Sequence, residues 1–507
     1  MGVVLHISRA SDLKNKKERF LYRLLEIFPG FLSYGTFALF VFLSFYNPFF
    51  VAVFIILFAL FWFFRMLHFS FYVKYGFDRL KNNIKINWYE KLKKLNNSEK
   101  IYHLVVVPCY KESYEILKDT INSIYKDSFP NERTIVCVTV EELAEDKERI
   151  ISKLKEDFEG KFLKFIITVH PKDLMCGKAA NENWGAKKAK EFIDNISIPY
   201  ENIIYTSLDA DTIVSEHYFS CVAFKFLTCE KPLRSAYQPI PFFLNNIFEV
   251  PFFSRVFSFS ATMWNIRCQE RGDKLITFSS HSMPFKALVD VGFKTEKVVS
   301  DDSRIFFQCF FKYDGDWRTI PLFYPVSMDS NAASSAWKTF INMYKQQRRW
   351  AYGVTEIPYF IFNSLRNKNI PLRKKISFAI ELIEVHWTWA TAPILILSLG
   401  FLPVYFGGEN FTQTVLSYNL PNVVSTIVRF SMVGMVVSAL FSIFILMAKQ
   451  FKLSSWKMGQ FFAEWIITPF LMIFFSALPA LDAQARLMLG RYMGFWPTEK
   501  VRNRKHD

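Results

Sequence analysis

The ten residues Asn202-Ile-Ile-Tyr-Thr-Ser-Leu-Asp-Ala-Asp211 form an apolar, β-branched run that ends at two carboxylates. Three comparable runs precede this one, each followed by a stretch with helical periodicity, and together they predict strands at residues 101–107, 134–140, 162–169 and 202–208. Because strand and helix alternate, we predict an α/β domain with a mostly parallel sheet and helices on both faces. Ligands of such sheets bind at the carboxyl ends of the strands, where Asp209 and Asp211 fall.

Glycine-rich cofactor loops do not accompany these strands. No GxGxxG follows any of them, and Gly177-Lys178 lacks both the upstream glycine and the following Ser or Thr of a phosphate loop. The seven cysteines lie between Cys109 and Cys309 without a CxxC pair. This spacing favours reduced thiols in a cytosolic domain over a zinc site or a disulfide framework.

Composition places this domain beside a membrane. The chain of 507 residues carries 62 Lys and Arg against 46 Asp and Glu, a net charge of +16, while 51% of it is hydrophobic and 21% charged. This balance excludes a disordered chain and a simple nucleic-acid-binding tail, so we expect no nucleic-acid partner. The 57 Phe and 22 Tyr are concentrated near the two ends. We therefore expect a membrane protein with a basic, water-facing part, whose partner is the lipid bilayer.

The two ends contain the candidate membrane segments. From Ile27 to Arg65 no charged side chain intervenes, and Asn47-Pro48 lies near the middle. Since one crossing needs about 20 apolar residues, this run predicts two crossings joined at the Asn-Pro turn, with a single long tilted helix as the alternative. Three further apolar segments, 385–408, 430–448 and 465–481, bring the count to five.

The distribution of Lys and Arg predicts the orientation. These residues are dense before the first helix, throughout the middle and at 449–457, but absent from 407–421. By the positive-inside rule the α/β domain is cytoplasmic, in a multi-pass protein of the cell (plasma) membrane. Five crossings would place the basic tail outside; its cations are Arg486, Arg491, Lys500, Arg502, Arg504 and Lys505. Either the last segment is re-entrant or interfacial, or the count is wrong, and we favour a cytoplasmic tail.

Asp209 and Asp211 are the first candidate site. Two carboxylates at i and i+2 just beyond a strand can converge on one Mg²⁺ or Mn²⁺, which completes its coordination shell with phosphate oxygens. A solvated turn is the alternative, because isolated Asp-x-Asp triplets are common.

Val299-Ser-Asp-Asp-Ser303, at the start of a predicted helix, is the second candidate site. A carboxylate held there, near a metal-bound donor, can accept a proton from an attacking hydroxyl. Helix N-capping by Ser300, Asp301 or Asp302 is the alternative, and the two roles are compatible.

Two basic motifs complete the set. Gln346-Gln-Arg-Arg-Trp350 lies in an amphipathic stretch over residues 337–359. Its Arg side chains can bind a diphosphate and its Trp can stack on a sugar. The alternative is that these residues only anchor the helix at the membrane interface. Gly177-Lys-Ala-Ala-Asn181 begins a predicted helix after the third strand. A helix N-terminus with a Lys side chain suits an anionic ligand, and the alternative is a helix start without a ligand.

Taken in order, Pro108-Cys-Tyr-Lys-Glu112, Asp209-Ala-Asp211, Asp301-Asp302 and Gln346-x-x-Arg349-Trp350 resemble the motifs of a membrane-embedded family 2 glycosyltransferase. Cellulose, chitin and hyaluronan synthases are its best-known members, and the resemblance covers roughly residues 102–352. It implies a GT-A fold inserted between transmembrane helices, and an inverting transfer from a nucleotide-diphosphate sugar.

The resemblance also implies a role for each matching residue. Asp209 and Asp211 would bind Mg²⁺ or Mn²⁺ and the donor diphosphate, and Asp302 would be the general base. Arg349 would bind the donor, and Gln346 and Trp350 would bind the acceptor. The residues expected to line the nucleotide pocket are Glu112, Glu141 and Lys178.

Departures from the family pattern leave two alternatives open. Lys111 stands where an Asn usually follows the aromatic residue, and Glu141 or Glu142 replaces the Asp expected after the second strand. The nucleobase is therefore open, with a UDP-sugar the expected donor. Asp301, adjacent to Asp302, is the alternative base.

The implied domain order has six parts: a basic cytoplasmic N-terminus at 1–26, a transmembrane hairpin at 27–71, a GT-A-like domain at 94–330, interfacial helices with QxxRW at 331–384, transmembrane helices at 385–481 and a basic tail at 482–507. The leading prediction is a hexosyltransferase-type enzyme that extends and exports a polysaccharide. Transfer of one sugar to a lipid acceptor is the alternative, and a transporter or binding scaffold that has lost its chemistry is the third.

Overall fold

The computed structural model describes residues 4–175, 177–448 and 454–494. Several predicted features lie outside the described residues: Cys176, the cations Lys449 and Lys452, and the tail cations Lys500, Arg502, Arg504 and Lys505.

The chain begins with a helical hairpin. Helix α1 covers Lys16–Tyr46, α2 covers Pro48–Ile84 and the short α3 covers Trp88–Leu92. The break falls at Asn47, whose side chain accepts a hydrogen bond from the backbone N–H of Phe50 and caps α2, while Pro48 occupies the first turn. The predicted Asn-Pro connection between two apolar helices is confirmed.

An eight-stranded mixed sheet forms the middle of the chain. The strands are β1 (Tyr102–Cys109), β2 (Thr134–Glu141), β3 (Lys164–His170), β4 (Ile203–Ser207), β5 (Ile213–Val214), β6 (Ser235–Phe243), β7 (Ser282–Pro284) and β8 (Arg318–Met328), in the order β3-β2-β1-β4-β7-β6-β8-β5. The first four strands pair in parallel, as predicted. The short β7 and β5 pair antiparallel to their neighbours, which makes the sheet mixed.

Helices cover both faces of this sheet. They are α4 (Tyr114–Tyr125), α5 (Lys147–Phe158), α6 (Lys178–Asn195), α7 (Tyr218–Thr228), α8 (Phe252–Gln269), α9 (Phe285–Asp290) and α10 (Asp301–Lys312). Leu104 and Val106 of β1 face the core under α6 and α10, whereas Val105 and Val107 face the core under α4, α5 and α7. The alternating side chains of one buried strand thus join two cores, and the predicted α/β class, with helices on both faces of the sheet and apolar helices before and after it, is confirmed.

The chain then returns to helices alone. These are α11 (Ala336–Ala351), α12 (Glu356–Arg366), α13 (Leu372–Leu397), α14 (Leu402–Phe406), α15 (Gly408–Thr412), α16 (Val415–Ser431), α17 (Val433–Ala448), α18 (Ser455–Glu464), α19 (Thr468–Met472) and α20 (Leu478–Met488), with a π-helical turn at Ile473–Ala477. Five segments of the described chain are long and apolar enough to cross a membrane: 16–46, 48–84, 372–397, 415–445 and 455–488.

The fifth of these segments contacts both the α/β domain and the start of the chain. Ten residues into it, Glu464 pairs with Arg255 of α8 at 2.9 Å. Near its end the Leu487 carbonyl accepts a hydrogen bond from Arg23 of α1 at 2.9 Å, and just past its end the backbone N–H of Met493 donates to the Tyr352 hydroxyl at 3.2 Å. These contacts bring the chain just before the basic tail close to the start of α1, and the re-entrant alternative stays a prediction.

Candidate functional site

The Asp209-Ala-Asp211 carboxylates lie just past the carboxyl end of β4, and the loops around them hold them in place. Oδ2 of Asp209 accepts a hydrogen bond from the Ser279 hydroxyl at 2.7 Å. Asp211 is buried, and its Oδ2 accepts from the backbone N–H of Asp329 at 3.0 Å. The two carboxylates are therefore fixed groups of the protein interior and not a solvated turn.

Lys178, the first residue of α6, joins the two acidic motifs. Its Nζ atom lies 2.7 Å from Oδ1 of Asp209 and 3.0 Å from Oδ2 of Asp302. Burial alone disfavours the ammonium, but the carboxylates of Asp209 and Asp302 raise the pKa of Lys178 well above its ordinary value. Motifs separated by about ninety residues of sequence thus meet on one cation.

Asp301 and Asp302 open α10, and a second buried cation holds them. Nζ of Lys294 lies 3.1 Å from Oδ2 of Asp301 and 3.1 Å from Oδ1 of Asp302, and it also pairs with Glu182 beneath them. The Ser300 side chain makes no capping hydrogen bond and donates instead to Glu356. Both carboxylates therefore form ion pairs with buried lysines of the site.

The two carboxylates differ in access and in the direction of their pKa shifts. The Asp302 side chain is 18% exposed and that of Asp301 is 6% exposed. Burial raises the pKa of Asp301, and the neighbouring Asp302 carboxylate adds to this effect. Burial acts on Asp302 in the same direction, but Lys178 and Lys294 outweigh it and hold the pKa of Asp302 well below its usual range. Asp302 is thus the more accessible of the two and the one whose pKa is lowered.

The loop between α8 and β7 supplies three groups that the sequence did not single out. In addition to Ser279, the Thr277 hydroxyl donates to the backbone carbonyl of Asp302 at 2.6 Å. Nδ1 of buried His281 lies 3.6 Å from Oδ1 of Asp302, and burial lowers the pKa of His281 to about 4. Lys294 was missed as well. None of these residues belongs to a spaced motif, so no signal in the sequence marked them.

The QxxRW residues lie on α11. Burial lowers the pKa of Arg349, although the carboxylates of Asp209, Asp301 and Asp302 counteract the effect, which places this guanidinium close to the acidic residues. The Trp350 ring is 37% exposed and lies beside Phe243 and Phe257. Gln346 accepts a hydrogen bond from Asn331 at 3.3 Å.

The glutamates predicted for the nucleotide pocket lie at the ends of β1 and β2. Oε2 of Glu112 accepts from the backbone N–H groups of Tyr110 and Lys111, at 2.9 and 3.1 Å. Glu141 is buried, with Oε2 2.9 Å from Nδ1 of His170. Glu112 and Glu141 line the same cavity as the carboxylates, whereas Glu142 accepts from the backbone of Lys172.

The carboxylate oxygens of Asp209 and Asp211 are ligands that suit a hard divalent cation. Among the residues that the structure describes, no group of three or more His, Cys, Asp or Glu side chains surrounds a metal position. Mg²⁺ is commonly held by one or two carboxylates together with substrate phosphates. Asp209 and Asp211 offer that set, so the residues present fit a metal that arrives with a diphosphate.

One cavity of about 1040 Å³ connects most of these groups with the apolar helices, while Asp211, Thr277, His281 and Lys294 lie behind its wall. Its inner half is lined by Asp209, Asp301, Asp302, Lys178, Glu112, Glu141, Gln346, Arg349 and Trp350. Its outer half lies between α2, α13, α16, α17 and α19, where the lining is mainly apolar; examples are Trp62, Met66, Val385, Trp389, Ile396, Val428, Met432 and Met472. A ligand can therefore reach from the carboxylates to the space between the helices.

The carboxylates of the apolar segments are paired with arginines of neighbouring elements. Glu381 pairs with Arg271, Glu384 with Arg65 and Glu464 with Arg255. Of these three carboxylates, only that of Glu381 lies on the cavity wall.

One comparison with known proteins identifies the family. The family model described as glycosyl transferase family group 2 matches residues 204–479. No curated protein matches the chain. Among solved structures, mannosyltransferase PcManGT from Pyrobaculum calidifontis, in complex with GDP-Man and Mn²⁺, is 14% identical over 82% of this chain and 99% of its own, with a TM-score of 0.45. Residues 1–349 of S. aureus TarS, in complex with UDP-GlcNAc, are 12% identical over 67% of this chain and 90% of that chain, with a TM-score of 0.37.

Proposed function

Because the chain belongs to glycosyl transferase family group 2 and is a glycosyltransferase, we propose that it moves a sugar from a nucleotide-diphosphate donor to an acceptor carried in the membrane. The observation that carries this proposal is the single cavity. This cavity is lined by Asp209, Asp302 and Arg349 at one end and runs between apolar helices at the other.

The donor would lie over the carboxyl ends of the strands, between α6 and α11. Lys178 and Arg349 offer cations to its diphosphate, and Arg can bind phosphate oxygens bidentately. Glu112 and Glu141 line the part of the cavity where the nucleoside would lie. A UDP-sugar stays the expected donor, and the base remains a prediction.

Asp302 would be the general base, because its side chain is more accessible than that of Asp301 and because Lys178 and Lys294 hold its pKa below the usual range. The acceptor hydroxyl gives its proton to Asp302 as its oxygen bonds to the anomeric carbon, and the bond from that carbon to the diphosphate oxygen breaks. Attack from the side opposite the diphosphate inverts the anomeric centre. Arg349 and Lys178 would stabilise the negative charge that the departing diphosphate gains.

Asp209 and Asp211 would hold Mg²⁺ or Mn²⁺ on the donor diphosphate. Such an ion neutralises charge on the leaving group, which is the chemistry that it supplies in a displacement of this kind.

A lipid-linked acceptor is favoured over a growing polysaccharide. The outer half of the cavity has mainly apolar walls, which suit an acyl or prenyl tail better than a hydrated glycan. The polysaccharide synthase stays the second candidate because Trp350, a residue suited to stacking on a sugar, borders the same cavity as Asp302.

We propose further that the α/β domain, the N-terminus and the chain around 488–494 face the cytoplasm of a multi-pass protein in the cell membrane. The basic residues before α1 and the hydrogen bond from Arg23 of α1 to the Leu487 carbonyl support this orientation.

The protein reconstituted in vesicles, given labelled nucleotide sugars and Mg²⁺ or Mn²⁺, tests the proposal. We expect label in the lipid extract, released as one sugar unit by mild hydrolysis. Label in an insoluble polymer would select the synthase. No transfer from any donor, with Asp302→Asn as the inactive control, would overturn both.

A further inference from the structure

A row of basic side chains follows α13 between the two halves of the cavity. Lys274 pairs with Ser377, Arg271 with Glu381 and Arg65 with Glu384. Positions 377, 381 and 384 share one face of α13, because residues spaced by four and three lie above one another on a helix. We call Lys274, Arg271 and Arg65 the basic ladder, and all three line the cavity.

The ladder keeps positive charge that its partners do not neutralise. Arg267, four residues before Arg271 and near the end of α8, also lines the cavity, so four cations lie on this wall beside one carboxylate, that of Glu381. Glu384 and the exposed Asp273 lie off the wall, and the Asp273 carboxylate attracts Arg271 and Lys274 from outside it, so the four cations still exceed the three carboxylates. The Arg271–Glu381 pair is bidentate, at 2.7 and 3.0 Å, and uses two of the five guanidinium N–H donors.

One loop connects this ladder to the reacting end of the site. Residues 270–281 carry Arg271 and Lys274 at their beginning, then Thr277, which donates to the Asp302 carbonyl, and Ser279, which donates to Asp209. Lys274 and Thr277 are three residues apart, at most about 11 Å of extended chain. A ligand group at the ladder is therefore a short distance from the general base.

We infer that the basic ladder and Arg267 bind a phosphate of the acceptor, which would be a sugar linked through phosphate to a lipid tail. The cavity offers three environments in the order of such a molecule: carboxylates for the sugar hydroxyl, cations for the phosphate and apolar helices for the tail. Arg suits phosphate oxygens, and cations held at a membrane helix commonly mark a substrate path. A neutral glycolipid or glycan gains nothing from four cations at this depth. The inference rests on the proposed function.

A matched pair of probes tests the inference: glucose joined to a dodecyl chain through a phosphodiester, and dodecyl glucoside. Binding to the full-length protein in phosphatidylcholine nanodiscs is measured by native mass spectrometry. We expect the phosphodiester to bind at least tenfold more tightly than the glucoside. Equal affinities would overturn the inference without the need for any variant.

The variants Lys274→Gln and Arg267→Gln test whether these two cations cause the difference in affinity between the probes. Neither residue makes a salt bridge to a carboxylate of α13, so the structural ion pairs are kept. Each variant should lose roughly tenfold in affinity for the phosphodiester and little for the glucoside, since one charge-assisted hydrogen bond is removed. Lys188→Gln, on the exposed face of α6, is the matched control and should change neither. Equal losses for both probes would overturn the inference.

Competition separates an acceptor from bulk anionic lipid. Phosphatidylglycerol or inorganic phosphate that displaced the phosphodiester probe as well as unlabelled probe does would overturn the assignment to the acceptor. Transfer to a phosphate-linked lipid acceptor that stayed at the wild-type rate in both Lys274→Gln and Arg267→Gln would overturn the phosphate site and leave the transferase standing. Selective binding of the phosphodiester without a lipid product from any donor would support the site and overturn the proposed function.

Discussion

The Nζ atom of Lys178 lies 3.0 Å from Oδ2 of Asp302, so the general base of the proposed reaction is held by a cation before any donor binds. The same ammonium contacts Asp209 at 2.7 Å. A diphosphate that entered beside Asp209 would compete for Lys178 and would release the base. This relationship links donor binding to the basicity of Asp302.

The first prediction concerns the acid side of the pH profile. Lys178 and Lys294 outweigh burial and hold the pKa of Asp302 below its usual range, so the base stays ionised and kcat/KM should not fall until about pH 4 or below. In Lys178→Gln the pKa of Asp302 rises, and activity is lost at a higher pH, by about one unit or more. The profile of kcat/KM between pH 4 and 8 measures this shift. An acid limb at the same pH in wild type, Lys178→Gln and the control Lys188→Gln would contradict it.

The second prediction separates the two adjacent carboxylates. Asp302→Asn removes the proton acceptor and should lower kcat by about 10²–10⁴-fold, with the affinity for nucleotide diphosphate changed only a few-fold. Asp301→Asn removes a more buried group that contacts Lys294 and should lower kcat by about tenfold. Steady-state rates and nucleotide titrations measure both effects. A larger loss of kcat in Asp301→Asn would assign the base to Asp301.

The third prediction concerns Arg349. Arg349→Lys keeps the charge but loses the planar fork that binds two phosphate oxygens, so we expect kcat to fall by roughly 10–100-fold. Arg348→Lys is the matched control, since Arg348 pairs with Asp482. Single-turnover rates at saturating donor make the comparison. Equal rates for wild type and Arg349→Lys would remove this residue from the leaving-group site.

The fourth prediction concerns stability. Lys294 is buried among Glu182, Asp301 and Asp302, so Lys294→Met leaves three carboxylates without their shared cation. We expect a loss of about 3–5 kcal/mol and a clear fall in the apparent melting temperature in detergent. Lys188→Met, at an exposed position, should change stability by less than about 0.5 kcal/mol. A melting temperature equal to that of wild type would show that the buried network does not stabilise the fold.

The fifth prediction concerns the metal. Dialysis against a chelator should abolish transfer, and Mn²⁺ or Mg²⁺ should restore it, because two carboxylates alone hold the ion weakly without the donor. Asp209→Asn should raise the metal concentration for half-maximal activity by about tenfold or more. Full activity after exhaustive chelation would exclude a metal at Asp209 and Asp211.

Much of the fold follows from local sequence patterns. The strand that ends before Asp209, the helix that begins at Asp301 and the helix break at Asn47 all follow from short-range signals: a β-branched run, a polar helix start and an Asn-Pro turn. Each of these signals lies within about ten residues of the feature it predicts.

The remaining features depend on long-range contacts that leave no local signal. Lys294 and His281 reach Asp302 only because β7 and its preceding loop pack beside β4. The contact between the last apolar segment and α8 joins Arg255 and Glu464, which are far apart in sequence. Single residues of this kind have no periodic spacing, so composition and pattern could not identify them.

The most direct test of the central claim is donor-dependent release of nucleotide diphosphate by the reconstituted protein across a panel of nucleotide sugars, in wild type and in Asp302→Asn. The account predicts release from one donor or a small set of donors, matched by sugar in the lipid extract, and a loss of at least about 10²-fold in Asp302→Asn. Release that is equal in the two proteins, or absent with every donor, would contradict it.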